Sequence, residues 1–411
     1  MKKSFLTLFS GTTLAQLIPI IISPLLTRLY TPNEFGIFSF FSSIVFTAII
    51  LTTFRMEMAI ILPKKHDEAK IIVKIIFLTT ISMIVFLFLG YLIFNTQLNS
   101  FKIFLDLKNF IYFFPIAIFC FSMNQAYYYY SNRLGFFNIM AVSKIVRSSF
   151  SALLQLLFGL FNIGVLGLIL GMVGSLLLSL LYFIKTLRVS VRDWINHISK
   201  DSFCRVITRY KNFPLILTPS SFLEAISVHM PIFLLTYYYS PYVSGLYALT
   251  QRVIQLPISV VATSVSDILR KKITTDYQVH GNARPILVYT MKRLFLFALV
   301  FTLALYFFSK NMFLVIFGDA WIMAGRYVEI MSVMIFMRII SNPIGVMFVI
   351  AEKQSVDFFI QVSTVVCAVV ALFLGYYYYN SAEMSILFFS MVYAMKFFFE
   401  AILAFYFGKR G

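Results

Sequence analysis

RLYTPNEFG, residues 28–36, interrupts a long apolar run, and a near copy, YSPYVSG, residues 239–245, interrupts another. Proline cannot continue a helix and glycine tolerates tight geometry, so each stretch reads as a turn between two helices. Aligned on Gly36 and Gly245, the surroundings also correspond. Pro19 lies 17 residues before the first glycine and Pro231 lies 14 before the second. Lys64-Lys65 follow 28 and 29 residues after Gly36, and Lys271-Lys272 follow 26 and 27 after Gly245. Two hairpins thus share a proline in the first helix, a turn and a paired-lysine stop. This is a weak internal repeat with about six helices in each half. Both halves start from the same side, as in parallel-repeat transporters.

Composition agrees with a membrane chain. Of 411 residues, 60% are hydrophobic, where a soluble domain holds about half or less. Apolar runs of membrane-spanning length recur from end to end. They give twelve candidate spans, at 5–29, 37–62, 71–94, 110–130, 136–160, 164–187, 213–237, 243–268, 286–308, 326–350, 356–379 and 383–407. The fourth is the weakest, because its tail NQAYYYYSNR is polar. The first is too long for the core of a signal peptide and has no small-residue cleavage site after it. The expectation is an all-α integral membrane protein: an N-terminal six-helix lobe at 1–187, a cytoplasmic linker at 188–212 and a C-terminal six-helix lobe at 213–411.

The short connections leave no room for a soluble catalytic domain, and the chain does not read as an enzyme. Three cysteines (Cys120, Cys204, Cys367) and four histidines (His66, His197, His229, His280) are scattered without ligand spacing, so neither a metal nor a cofactor is expected. With the Lys2-Lys3 end assigned to the cytoplasm, the inner loops hold most of the lysine and arginine, including Lys64, Lys65, Arg205, Arg209, Lys211, Lys271 and Arg410. Both termini are therefore expected inside. The net charge of +18 then faces anionic membrane lipid. It is spread over many short loops, which excludes a nucleic-acid site.

Several charges fall inside the spans. A charged side chain at mid-membrane costs about 2.5–3.5 kcal/mol on insertion scales, so such residues face a partner or a wet cavity. Arg147, Arg338, Lys396 and Glu224 lie near helix midpoints, with Arg252 and Arg55 farther out. Polar residues recur beside them at helical steps: Lys144, Arg147, Ser148, Ser151 and Gln155 in the fifth helix, and Arg252, Gln255, Ser259, Thr263 and Ser266 in the eighth. Thr12, Gln16, Pro19, Ser23 and Thr27 form a milder stripe in the first, and Arg338, Ser341, Asn342 and Gly345 share a face of the tenth. Hydroxyls alone are ordinary glue between helices. A like-charged pair such as Lys144 and Arg147 is unfavourable by itself, and an anion between them reverses that. Arg55, Lys144, Arg147, Arg252 and Arg338 are accordingly candidate anion contacts. Lys396 and Glu400 stand four apart and read as an internal ion pair. Arg55 and Glu57, two apart on one helix, do not face each other, so Glu57 needs another partner. Glu57 and Glu224 are the candidate ion-coupling carboxylates. The tyrosine runs at 127–130, 237–239 and 376–379 sit at helix ends, as interfacial aromatic belts do, with stacking on sugar rings as the functional alternative.

GTTLAQLIPIIISPLLTRLYTPNEFGIF (11–38), FRMEMAIILPKKHDEA (54–69), RYKNFPLILTPSSF (209–222) and SGLYALTQRVIQLPIS (244–259) resemble polysaccharide repeat-unit flippases. These are the Wzx-type O-antigen and capsule translocases of the superfamily that also holds MATE exporters and lipid II flippases. The resemblance implies a MATE-like fold of twelve helices working by alternating access in the bacterial cytoplasmic (inner) membrane. It implies an oligosaccharide on undecaprenyl pyrophosphate as substrate, for O-antigen or capsule, with a polysaccharide polymerase and a chain-length regulator as candidate partners. It also brings in Arg28 as a basic residue of the first helix, against the plain reading of an interfacial arginine that snorkels to water. A multidrug exporter of the same superfamily is one alternative, although a carrier of organic cations needs acidic groups in its cavity. A membrane enzyme such as a repeat-unit polymerase is the other, and it needs a long outer loop or a clustered active site that the sequence does not carry.

Overall fold

The computed structural model describes residues 2–98, 107–188 and 200–409. The linker expected at 188–212 lies partly outside them, as do the side chains of Thr263, Ser266 and Lys271. Among the described residues there is no strand, only an isolated bridge between Asn282 and Lys409.

Twelve long helices form, one for each expected span. The first six are α1 (Lys2–Leu29), α2 (Pro32–Thr53), α3 (His66–Leu98), α4 (Phe113–Arg133), α5 (Phe137–Leu160) and α6 (Val165–Thr186). The rest are α7 (Thr218–Tyr238), α8 (Pro241–His280), α9 (Arg284–Phe317), α10 (Ile322–Ile344), α11 (Gln354–Tyr379) and α12 (Ala382–Phe407). Among the described residues ten helical stretches are long and apolar enough to cross a membrane by that measure alone, and this is a multi-pass membrane protein. Helices such as α3 and α8 outrun their apolar spans, because a backbone helix continues into water where hydropathy stops.

The chain packs as two units, Met1–His229 and Met230–Gly411. The division falls inside α7 rather than at 188–212, so residues 213–229 pack with the first unit. In the first unit α4 packs on α2, α3 and α6, and α5 packs on α1 and α6. In the second unit α10 packs on α8, α9 and α12, and α11 packs on α12. The pairings of α2, α3 and α6 with α4, and of α5 with α6, recur at a step of six helices, whereas the α1–α5 packing has no counterpart of similar extent in α7 and α11.

The two quoted stretches are turns, and each is locked by its tyrosine. Tyr30 is 3% exposed and its hydroxyl donates to the Gln155 carbonyl at 2.7 Å, tying the end of α1 to α5. Burial, and then the Glu34 carboxylate, push the Tyr30 phenol up to about 12, so it remains a donor at physiological pH. Thr31 and Glu34 form a reciprocal capping box that starts α2: the Thr31 amide donates to Glu34 Oε2 (2.7 Å) and the Glu34 amide to Thr31 Oγ1 (3.3 Å). In the second turn the matching Tyr239 hydroxyl meets Ser385 Oγ of α12 at 2.7 Å.

The second helix departs from expectation. Span 37–62 is not one helix: α2 ends at Thr53, and Phe54 (φ 50°) and Arg55 (φ 54°) are both left-handed before a short helix, Met56–Ala59. Such backbone costs a non-glycine residue about 1–2 kcal/mol. After the break Arg55 and Glu57 do face each other, Nη1 to Oε1 at 3.5 Å, which corrects the expectation that they cannot. That expectation assumed a continuous helix.

Candidate functional site

The site begins on α6, whose small residues let its neighbours approach. Asn124 of α4 donates through Nδ2 to the Leu176 carbonyl at 2.9 Å, closing α4 on α6. Ser179 Oγ donates to the Ser143 carbonyl at 3.3 Å, closing α6 on α5. Between the three helices lies a cavity of about 180 Å³ lined by Asn124, Gln125, Tyr128, Ser143, Lys144, Arg147, Ser179 and Phe183. That volume is below the ordinary range for whole small-molecule ligands, roughly 300–1,000 Å³.

Its charge is uncompensated. Lys144 Nζ donates to Thr12 Oγ1 of α1 at 3.2 Å and lies 4.9 Å from the Tyr128 ring centre. The Arg147 guanidinium lies 5.3 Å from the centre of the Phe121 ring. Among the described residues neither is paired with a carboxylate. Aromatic faces attract cations weakly, by about 0.5–2 kcal/mol, so both remain available to an anion.

The other expected site residues lie elsewhere. Arg28 is exposed at the end of α1. Arg55 is engaged with buried Glu57, and both Arg55 Nε and Glu57 Oε2 are buried without a hydrogen-bond partner. Glu224 is exposed on α7. Arg252 and Arg338 belong to the second unit; both are half-buried, and Arg338 donates to Gln255 Oε1 at 3.0 Å. The fifth-helix stripe divides. Lys144 and Arg147 reach the cavity, while Ser148 bonds the Ala15 carbonyl at 2.6 Å and Gln155 the Leu168 carbonyl at 3.1 Å as helix glue. Lys396 and Glu400 form the expected pair at 3.1 Å, and Ser341 Oγ donates to Glu400 at 3.3 Å.

Sequence reasoning missed Asn124, Gln125 and Tyr128. The signal was present: the polar tail that weakens the fourth span is the cavity wall. It also missed the network in which Glu329 meets Arg326 at 2.8 Å and Lys310 at 3.5 Å while Arg326 reaches Glu383 at 3.2 Å.

Residues 1–269 match the family model described as polysaccharide biosynthesis protein. The chain belongs to that family. No curated protein matches the sequence. Solved structures do. The lipid II flippase MurJ in an inward closed conformation superposes with a TM-score of 0.70 at 13% identity, covering 99% of this chain and 89% of that one. An inward-facing multidrug resistance MATE family transporter of the MOP superfamily gives 0.63 at 14% identity, covering 98% and 93%. A MOP superfamily transporter from Pyrococcus furiosus, described as having a binding pocket of reverse polarity, gives 0.62 at 13% identity, covering 99% and 95%. At these identities the likeness establishes the fold, which is MATE-like.

Proposed function

We propose that this protein is a flippase that carries an oligosaccharide repeat unit on undecaprenyl pyrophosphate from the cytoplasmic to the outer leaflet, by alternating access, for O-antigen or capsule assembly. The observation that carries this reading is the cavity of the first unit, where Lys144 and Arg147 face a polar pocket with no carboxylate beside them. A guanidinium can hold two phosphate oxygens at once and an ammonium adds a point charge. A pyrophosphate offers both charge and oxygens, and the aromatic faces hold the cations when the pocket is empty. The same charge disfavours a carrier of organic cations. Arg28, Arg55, Arg252 and Arg338 are further candidate contacts along the substrate's route. Of the two candidate coupling carboxylates, Glu57 has the stronger support, being 2% exposed with one oxygen unpartnered, whereas Glu224 is exposed.

The proposed location is the bacterial inner membrane with both termini in the cytoplasm. Its check is labelling of single cysteines by an impermeant reagent. Asn33 and Tyr242 are exposed and suit the purpose; Ser244 is fully buried and does not. The function is tested by moving a labelled lipid-linked oligosaccharide across proteoliposomes with and without ion gradients. No transport under any gradient, or equal transport of an uncharged lipid-linked sugar, sinks the reading.

A further inference from the structure

The first unit carries a second basic feature, away from the cavity. The helix Lys200–Arg209 packs on α3, with Val206 and Tyr210 buried at 4% and 6% exposure. Arg209 fastens it to Glu68 at 3.1 Å. Cys204, Arg205 and Ile207 are exposed on it, and exposed Lys211 follows. Beside Glu68 the segment leading into α3 presents Lys64, Lys65 and Lys70, all exposed. Against these cations stand the exposed Asp67, the half-buried Glu68, which is already paired, and in the sequence Asp201 of the same helix.

Exposed apolar side chains adjoin the charges. Ile61 and Leu62 precede the lysine pair at 41% and 56% exposure, and Leu215 and Ile216 follow Lys211 at 68% and 66%. Apolar groups stepping into basic groups over a few residues match the depth profile of a bilayer surface, acyl region to head groups. A soluble polyanion would have no use for the apolar step.

We infer that the Lys200–Arg209 helix and the Lys64–Lys70 segment together form a docking surface for anionic phospholipid head groups of the bilayer. The surface holds the helix against the membrane at the base of α3. This goes beyond the proposed transport activity and does not depend on the substrate.

Cys204 supplies the reporter, because it is exposed on this helix. With Cys367→Ser, and with Cys120 buried, a polarity-sensitive fluorophore on Cys204 is placed in nanodiscs of phosphatidylcholine alone or mixed equally with phosphatidylglycerol. Anionic discs should shift the emission to the blue and lower quenching by neutral acrylamide by about two-fold, and high salt should reverse this. Lys64→Gln, Lys65→Gln, Arg205→Gln and Lys211→Gln together should remove the response while thermal stability is kept, since Arg209 and Glu68 remain. Equal quenching in both discs overturns the proposal, as does a response that survives the four substitutions. Inorganic pyrophosphate reproducing the shift in phosphatidylcholine discs also overturns it, because it assigns the surface to a soluble phosphate instead.

Discussion

The two units repeat most of one helix-pairing order and differ in how they treat some of their charges. In the second unit several cations meet carboxylates, Lys396 with Glu400 and Arg326 with Glu329 and Glu383, while Arg338 donates to the neutral Gln255. In the first, Lys144 and Arg147 rest on aromatic rings and line a cavity. The helices differ too. α1 lies along α5 through much of its length, whereas the matching α7 and α11 touch sparsely, with Tyr238 stacked on Tyr376 at 4.8 Å near their ends. The first unit also holds ion pairs, Arg55 with buried Glu57 and Arg209 with Glu68, so the difference between the units lies at Lys144 and Arg147, two cations on a cavity wall with no carboxylate partner among the described residues.

The largest effect should come from breaking a matched pair. Lys396 and Glu400 side chains are each 12% exposed. Lys396→Met strands Glu400 and should cost about 3–5 kcal/mol of stability. Lys396→Met with Glu400→Leu should recover most of it, since two apolar residues leave no buried charge. Thermal unfolding in detergent reads both. A single variant as stable as the double would mean the pair is not structural.

In the first unit the same kind of change should act on transport. Arg147→Met should leave stability unchanged or raised, since it removes an unmatched cation. It should lower transport about ten- to hundredfold, the worth of one charge-assisted contact of roughly 1.5–3 kcal/mol. Arg147→Lys should restore only part, keeping charge but losing the fork. Comparable stability loss in Arg147→Met and Lys396→Met would erase the contrast between units.

Much of this was legible beforehand, and the exceptions have physical causes. All twelve helices announce themselves because a span must be continuously apolar. Lys144 and Arg147 stand out because cations three apart on an apolar helix need a reason. The break at Phe54–Arg55 was hidden: TTFRME carries neither glycine nor proline, yet two ordinary residues adopt left-handed backbone there. The other wall of the cavity was hidden for a different reason. Asn124 and Gln125 lower hydropathy, so a search for spans counts against them the polarity that makes them lining residues.

A smaller effect should separate the two helix contacts. A Cβ on Gly11 of α1 would lie 2.6 Å from the Ala141 Cβ of α5, so only glycine permits this approach. Gly11→Val should cost about 1–3 kcal/mol by overpacking. Tyr238→Leu, in the sparser α7–α11 contact, loses an aromatic stack and should cost about 0.5–1.5 kcal/mol. A larger loss from Tyr238→Leu would reverse the ranking of the two contacts.

The smallest effect returns to the quoted turns. They share tyrosine, hydroxyl residue, proline and glycine, but Val243 stands where the first turn has Glu34. In the first turn both halves of the capping box are formed, and two helix-end donors are satisfied. In the second, Ser240 occupies the N-cap position in extended backbone without a side-chain cap bond, and Val243 has no oxygen to return one. Glu34→Val should therefore cost about 0.5–1 kcal/mol. Thr31→Ala should cost about as much, and the pair together less than their sum, because both remove one reciprocal unit. Val243→Glu should do the opposite. Position 243 is only half-buried, and although the Ser240 amide already donates to the Leu235 carbonyl at 3.3 Å, a carboxylate there favours the positive end of α8. The gain should be a few tenths of a kcal/mol, read as a rise in melting temperature that disappears at low pH as the new carboxyl protonates. No gain at neutral pH would mean that the second turn is held by Tyr239 with Ser385 and by its own backbone bonds to Leu235, and that the likeness of the turns stops at the backbone.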